Sequence, residues 1–279
     1  MSLWYAFWDL FPIEFLSMNF MKNALLAVLV MSPLFGLLST MIVTGKMSFF
    51  SDALGHSGFT GIAIGVLCGA AFPMGWAVAL AVAFALLFSF VRSRTSQASE
   101  TIISVFSSTA VALGIFIATL NGSSFTKFNQ YLIGDILSVT PQEIAMLFLV
   151  LMLVLALWLL ASNRLVLTAI YPQLASSRGI PVQGYETLFT VSIAVVVTLS
   201  MSWVGLMVVN SLLVLPAAAA RNVAKNLRQY HLLSVVFALA AGIAGLITSY
   251  YLGTSTGAVI SLYLAIIFSI TFCFRKRSA

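Results

Sequence analysis

The chain is a succession of apolar runs, each about as long as a bilayer is thick. A helix needs about 20 apolar residues to cross the hydrocarbon core. Such runs fall near residues 20–43, 52–71, 74–91, 100–120, 142–162, 185–201, 203–220, 231–251 and 255–274. No water-facing fold has room to bury them all. Hydrophobic residues are 61% of the chain and charged residues 7%, where a soluble domain carries about a quarter charged. The solvent for most of this surface is therefore lipid. We expect one all-α polytopic membrane domain over 1–279, with about nine transmembrane helices. Eight is the alternative, because only Met201-Ser202-Trp203 separates two short runs.

Basic residues orient the spans. Lys46, Arg92, Arg94, Arg164, Arg178, Arg221, Lys225, Arg228, Arg275, Lys276 and Arg277 follow alternate runs, and only Lys22 and Lys127 fall on the other side. By the positive-inside rule that side is cytoplasmic, which puts the N-terminus out and the C-terminus in. The net charge of +6 is explained by this topology rather than by a nucleic-acid partner. Residues 1–19 lack a basic n-region and a small-residue cleavage site, so they do not read as a secretory signal. Their Trp4, Tyr5, Trp8 and Phe11 suit an interfacial segment. Cys68 and Cys273 lie far apart in apolar runs and form no metal motif.

Two connections are too long for simple turns. Residues 121–141 should face outward, and 163–184 should face the cytoplasm. Within the second, Pro172 suits a first helical turn, Gly179 a helix end, and Pro181 blocks continuation. The expected product is a short helix of about two turns outside the bilayer, the alternative being an ordinary loop.

No phosphate-binding G-x-x-x-x-G-K-[ST] loop is present, since Gly45-Lys46 is followed by Met47. H-E-x-x-H does not occur. The chain therefore reads as a non-enzyme with no nucleotide site of its own.

The polar residues inside apolar runs carry the chemistry. Asp52 and His56 stand four apart, on one helical face. A charge deep in a bilayer costs about 2.5–3.5 kcal/mol on insertion scales, so such residues usually face a protein interior or a water-filled path. Asp52 also reads as a helix-terminal acid, which the macrodipole favours. Gly55, Ser57, Gly58, Gly61 and Gly65 on the same run permit close helix approach. Asn210 and Pro216 mark the seventh run as a gating or structural element, since proline kinks a membrane helix. Glu100 begins the fourth run, where it can stabilise the helix N-terminus. His231 begins the eighth, beside Arg228, at an expected interface.

Four stretches together resemble one family. "KMSFFSDALGHSGFTGIAIG" is similar to its Asp-x-x-x-His segment, matched by Asp52 and His56. "YLIGDILSVTPQEI" resembles its Gly-Asp-Ile/Leu-Leu motif, matched by Gly134, Asp135 and Leu137. "YPQLASSRGIPV" resembles a cytoplasmic Asp-x-x-x-Ala-x-x-x-Gly segment, matched by Ala175 and Gly179. "VGLMVVNSLLVLPAAAAR" resembles a Pro-Ala-Ala-x-Ala-Arg segment, matched by Pro216, Ala217, Ala218, Ala220 and Arg221. The family is the membrane permease of ABC transporters for zinc, manganese or iron, the ZnuB type. The chain departs from it in three places. Tyr171 or Pro172 stands where an acid is frequent, Gly253 where Asp is common, and Ser107 and Ser108 where some zinc permeases carry His.

The resemblance implies a transmembrane permease subunit of an ATP-driven divalent-metal importer in the bacterial inner membrane. Zinc is the first expectation, manganese or iron the alternatives, and no cofactor is covalently bound. It implies cytoplasmic ABC ATPase subunits, an external solute-binding protein, and a homodimer or paired permease in lipid. Asp52 and His56 would handle the metal, with a carboxylate oxygen and an imidazole nitrogen that suit such ions. Tyr171, Ala175, Arg178 and Gly179 would form the coupling segment that meets the ATPase. Gly134, Asp135, Asn210 and Pro216 would gate or support. The rival from another class is a secondary transporter or channel driven by an ion or proton gradient.

Overall fold

A computed structural model describes residues 4, 5, 8, 14–70, 72–95, 97–120, 134 and 136–275. Among them the long helices are α1 (Asn19–Thr44), α2 (Phe50–Leu67), α3 (Pro73–Arg94), α4 (Ser99–Leu120), α5 (Pro141–Ile170), α7 (Val182–Val204), α8 (Leu206–Val223), α9 (Leu227–Leu252) and α10 (Thr256–Cys273). A short α6 (Pro172–Ser177) lies between α5 and α7. Each expected apolar run is thus a helix. Eight are long and apolar enough to span a membrane, and α2 is the long helix left out. It is too polar to count, and thirteen of its 18 residues are buried within the protein. The chain is a multi-pass membrane protein: α5 bears Leu159 and Leu160, each more than 80% exposed, as a lipid-facing helix does.

Two boundaries differ from the sequence expectation. Helix α5 does not stop at 162 but runs on to Ile170. "NRLVLTAI" continues its periodicity, with Leu165 and Thr168 buried, so the helix outlasts its apolar stretch. Between α7 and α8 the break is Gly205 alone, at φ +91°, a conformation open to glycine.

The chain divides into two compact units. One comprises residues 1–40, 133–155 and 203–279. Here glycines set the helix approaches. A Cβ on Gly36 would lie 2.8 Å from the Val235 Cα, and one on Gly245 would lie 2.5 Å from the Ile260 side chain. Hydroxyls staple helices of the same unit: Ser39 to Ser234 at 2.9 Å, Ser211 to Ser261 at 2.7 Å, and Ser249 to Thr256 at 2.8 Å. The N-terminal aromatics fold onto α1. Trp4 donates its indole N–H to the Lys22 carbonyl at 3.0 Å, and Tyr5 donates its hydroxyl to Asn23 Oδ1 at 2.6 Å. Lys22, 1% exposed, lies with its ammonium 5.9 Å from the Tyr5 ring centroid.

The other unit comprises residues 41–132 and 156–202. Helix α2 is its core. Gly61 lets α2 approach the backbone of Ala77 on α3, where a Cβ would come within 2.6 Å of the Ala77 Cα. Gly114 of α4 receives Phe59 and Thr60, and Gly58 faces Met201 and Thr198 of α7. Thr60 also donates its hydroxyl to the Ala110 carbonyl at 2.7 Å. Phe50 packs on Phe88 of α3 with ring centroids 4.6 Å apart. So α2 is largely enclosed by α3, α4 and α7, with a partly open strip in its N-terminal half.

Candidate functional site

That strip carries Asp52 and His56. His56 Nε2 lies 3.4 Å from Asp52 Oδ2, with the His side chain 26% and the Asp side chain 44% exposed. The residues around them, Ser51, Ala53, Leu54, Gly55 and Ser57, are buried. The N-cap residue of α2 is Phe49, without a side-chain cap bond. Asp52 therefore sits in the first turn, where its charge favours the helix end, without occupying the cap position.

Asp52 borders a recess of about 290 Å³, lined also by Phe49, Glu100, Ile103, Ser104, Ser107 and Ser108. Glu100, Ser104 and Ser107 share one face of α4, at intervals of four and three residues. Sequence reading assigned Glu100 to its own helix terminus and noted the two serines only as departures. Their spacing was the available signal that they form a face, but the fold was needed to aim it at Asp52.

This arrangement suits a small cation. A tetrahedral ion with bonds of about 2.1 Å holds adjacent donors about 3.4 Å apart, which is the separation already present. Ligation uses neutral imidazole, so cation capture competes with protons. Among the described residues no three His, Cys, Asp or Glu side chains come together as a metal cluster. One chain thus offers two strong donors, with carboxylate and hydroxyl oxygens across the recess.

The other expected residues lie elsewhere. In α6, Tyr171 precedes the helix, Pro172 opens it, and Gly179 at φ +72° follows it. Ile180 N–H donates to the Ala175 carbonyl and Gly179 N–H to the Ser176 carbonyl, both at 3.0 Å. This double closure is a Schellman motif. Tyr171, Arg178 and Gly179 are exposed, whereas Ala175 is wholly buried. Ala175 therefore seats the helix on its own chain, and the exposed neighbours form the free face. In the first unit, Gly134 at φ +63° abuts the Val204–Gly205 backbone, leaving no room for a Cβ. Its role there is to pack against the α7–α8 break. Asp135 lies outside the described residues. Asn210 is half-buried on α8, and Pro216 is buried within that helix, which stays continuous from Leu206 to Val223. His231, expected at an interface, is half-buried, with Nδ1 2.8 Å from the Thr40 hydroxyl.

Comparison with known proteins decides the family. A profile described as the ABC 3 transport family matches residues 17–275. The chain belongs to the ABC 3 transport family. The manganese import system permease protein ScaB of Streptococcus parasanguinis is 31% identical over 254 residues, covering 91% of this chain and 90% of that one. The high-affinity zinc uptake system membrane protein ZnuB of Haemophilus influenzae is 26% identical over 254 residues, covering 91% and 97%. Among solved structures, PsaBC from Streptococcus pneumoniae in complex with Fab superposes with a TM-score of 0.79 at 27% identity, covering 98% of this chain and 95% of that one. ABC 3 members of this kind are membrane transport subunits rather than enzymes.

Proposed function

We propose that this chain is the permease of an ATP-driven importer of a divalent first-row metal, and that Asp52 and His56 handle the ion in transit. The observation that carries this reading is the pair itself: two donors at 3.4 Å on a partly open strip of a largely buried helix. The names of the relatives, a manganese permease and a zinc permease, support the same cargo class. Membership in an ABC family favours ATP over the gradient-driven alternative. Hydrolysis then occurs on separate ATPase subunits, an external binding protein delivers the ion, and two permease chains enclose the path.

The recess lining moves the preferred metal from zinc to manganese. It offers the Asp52 and Glu100 carboxylates and three serine hydroxyls, with the His56 imidazole beside Asp52. Oxygen donors suit manganese, while zinc favours nitrogen and sulfur. Partial ligation also suits transport, because an ion held by a closed site leaves slowly.

The orientation follows from the basic residues, with α6 and the C-terminus in the cytoplasm. The exposed face of α6, with Tyr171 and Arg178, is the surface for the ATPase.

The deciding experiment places the chain, its ATPase and its binding protein in liposomes and measures uptake of manganese, zinc and iron. Manganese uptake should require ATP and exceed zinc uptake. Uptake that persists without ATP and collapses with an imposed ion gradient would contradict the reading.

A further inference from the structure

The base of α7 is tied to the end of α3 by a row of polar contacts. Gln183 donates an amide N–H to Ser93 Oγ at 3.0 Å, Thr187 shares a hydrogen bond with Ser89 at 2.6 Å, and Glu186 pairs with Arg92 at 3.9 Å. Ser89, Arg92 and Ser93 are spaced as one helical face, so the two helix ends are laced along a line. Arg92 also reaches further. Its second terminal nitrogen donates to Met47 Sδ at 3.3 Å. Met47 is buried at 3% exposure and lies in the turn that starts α2, five residues before Asp52. One guanidinium therefore touches both the helix that follows α6 and the turn that aims Asp52.

Stability does not account for this cation. Its side chain is 24% exposed and that of Glu186 is 33% exposed, and ion pairs in such settings contribute about 0–1 kcal/mol. The packing around it is also loose. A void of about 40 Å³ lies among Met41, Met47, Arg92, Glu186 and Phe189, so the guanidinium has room to follow a moving neighbour. By contrast, α3 and α2 meet backbone to backbone at Gly61 and ring to ring at Phe50 and Phe88. A shift passed to α3 is carried to α2 with little slack.

We propose that Arg92 is a positioning residue that transmits displacement of α6 to α2, through Glu186 on one side and Met47 on the other. This rests on the proposed function, in which force from the ATPase arrives at α6 and the ion is handled at Asp52. Arg92 touches no ion. It sets when the turn carrying Asp52 moves.

The test uses the reconstituted transporter with its ATPase and binding protein, and reads manganese taken up per ATP hydrolysed. Arg92→Ala and Glu186→Gln should each lower that ratio at least about fivefold, the scale of a working coupling energy, while the ATPase still copurifies. The double variant should fall no further than the worse single one, because both remove the same link. Arg92→Lys, which keeps the charge but lacks a forked donor, should recover part of the ratio. An unchanged ratio in Arg92→Ala, or losses that multiply in the double variant, would overturn the proposal. Asp52→Asn measured alongside separates the two claims: normal uptake there sinks the ion-handling reading, whereas the Arg92 ratio judges the relay alone.

Discussion

His56 and His231 are the chain's two histidines, and their surroundings differ in kind. His231 on α9 contacts the Thr40 hydroxyl of α1, beside hydroxyl staples such as Ser39 to Ser234. It is a side chain spent on holding helices together. His56 faces a carboxylate four residues earlier on its own helix, and that carboxylate lines a recess. Both sit in apolar runs, and polarity alone does not tell them apart. The difference lies in what each one contacts: a hydroxyl of a neighbouring helix, or a carboxylate that borders a space an ion can enter. Interhelical hydrogen bonds inside membranes average about 0.6 kcal/mol, so stapling is a modest, distributed role. Handling a cation has no such redundancy.

The comparison breaks most directly on the histidines. His56→Ala should lower metal uptake by about tenfold to a hundredfold, the range seen when a metal site loses a supporting group, with the protein still in the membrane. His231→Ala should leave uptake within about twofold and cost about 1 kcal/mol or less of stability, read as a small drop in detergent melting temperature. Equal losses of uptake in the two variants would mean that the recess does not mark function.

A smaller, structural effect sharpens the contrast between enclosed and open positions. Gly61→Ala drives a methyl to within 2.6 Å of the Ala77 Cα, so overpacking should cost about 1–3 kcal/mol and lower the yield of folded protein. At Gly179 a Cβ meets open space, but φ is +72°, so Gly179→Ala should cost only the left-handed strain of about 1–2 kcal/mol. If Gly179→Ala leaves melting unchanged but lowers uptake per ATP, the α6 turn matters for coupling rather than for folding.

The smallest perturbation tests orientation. In a chain with Cys68 and Cys273 replaced, a cysteine at exposed Ser176 should resist an impermeant thiol reagent in intact cells and react once the membrane is opened. Labelling in intact cells would reverse the topology and remove α6 from the ATPase side.

Much of the fold was legible because lipid imposes a simple rule. Apolar length marked every long helix, and Pro172, Gly179 and Pro181 marked α6 within a residue or two. Helix α2 was the instructive case. It reads as a span, yet the polar residues that make it interesting also make it too polar to face lipid, so it is enclosed by α3, α4 and α7 instead. The extension of α5 to Ile170 was missed because apolar length measures the bilayer rather than the helix. Asp52 and His56 were visible because i,i+4 spacing is local. Glu100 facing Asp52, Arg92 bridging Glu186 and Met47, and Gly134 against Gly205 were not visible. Each joins segments dozens of residues apart, and no periodicity along the chain encodes which faces meet. Ala175 shows the same limit: its small side chain suited docking to a partner, but the fold buries it against its own chain.

The central claim is that the Asp52 carboxylate handles the ion rather than the helix end. Asp52→Asn isolates it, because asparagine keeps the side-chain shape and the lost helix-end charge costs only about 0.3–1 kcal/mol of stability. Initial manganese uptake should be measured in liposomes holding the permease, its ATPase and its binding protein, with ATP supplied. The account predicts a fall of about tenfold to a hundredfold with the ATPase complex intact. Uptake equal to that of the unaltered protein would contradict it and return Asp52 to the role of a helix-terminal charge.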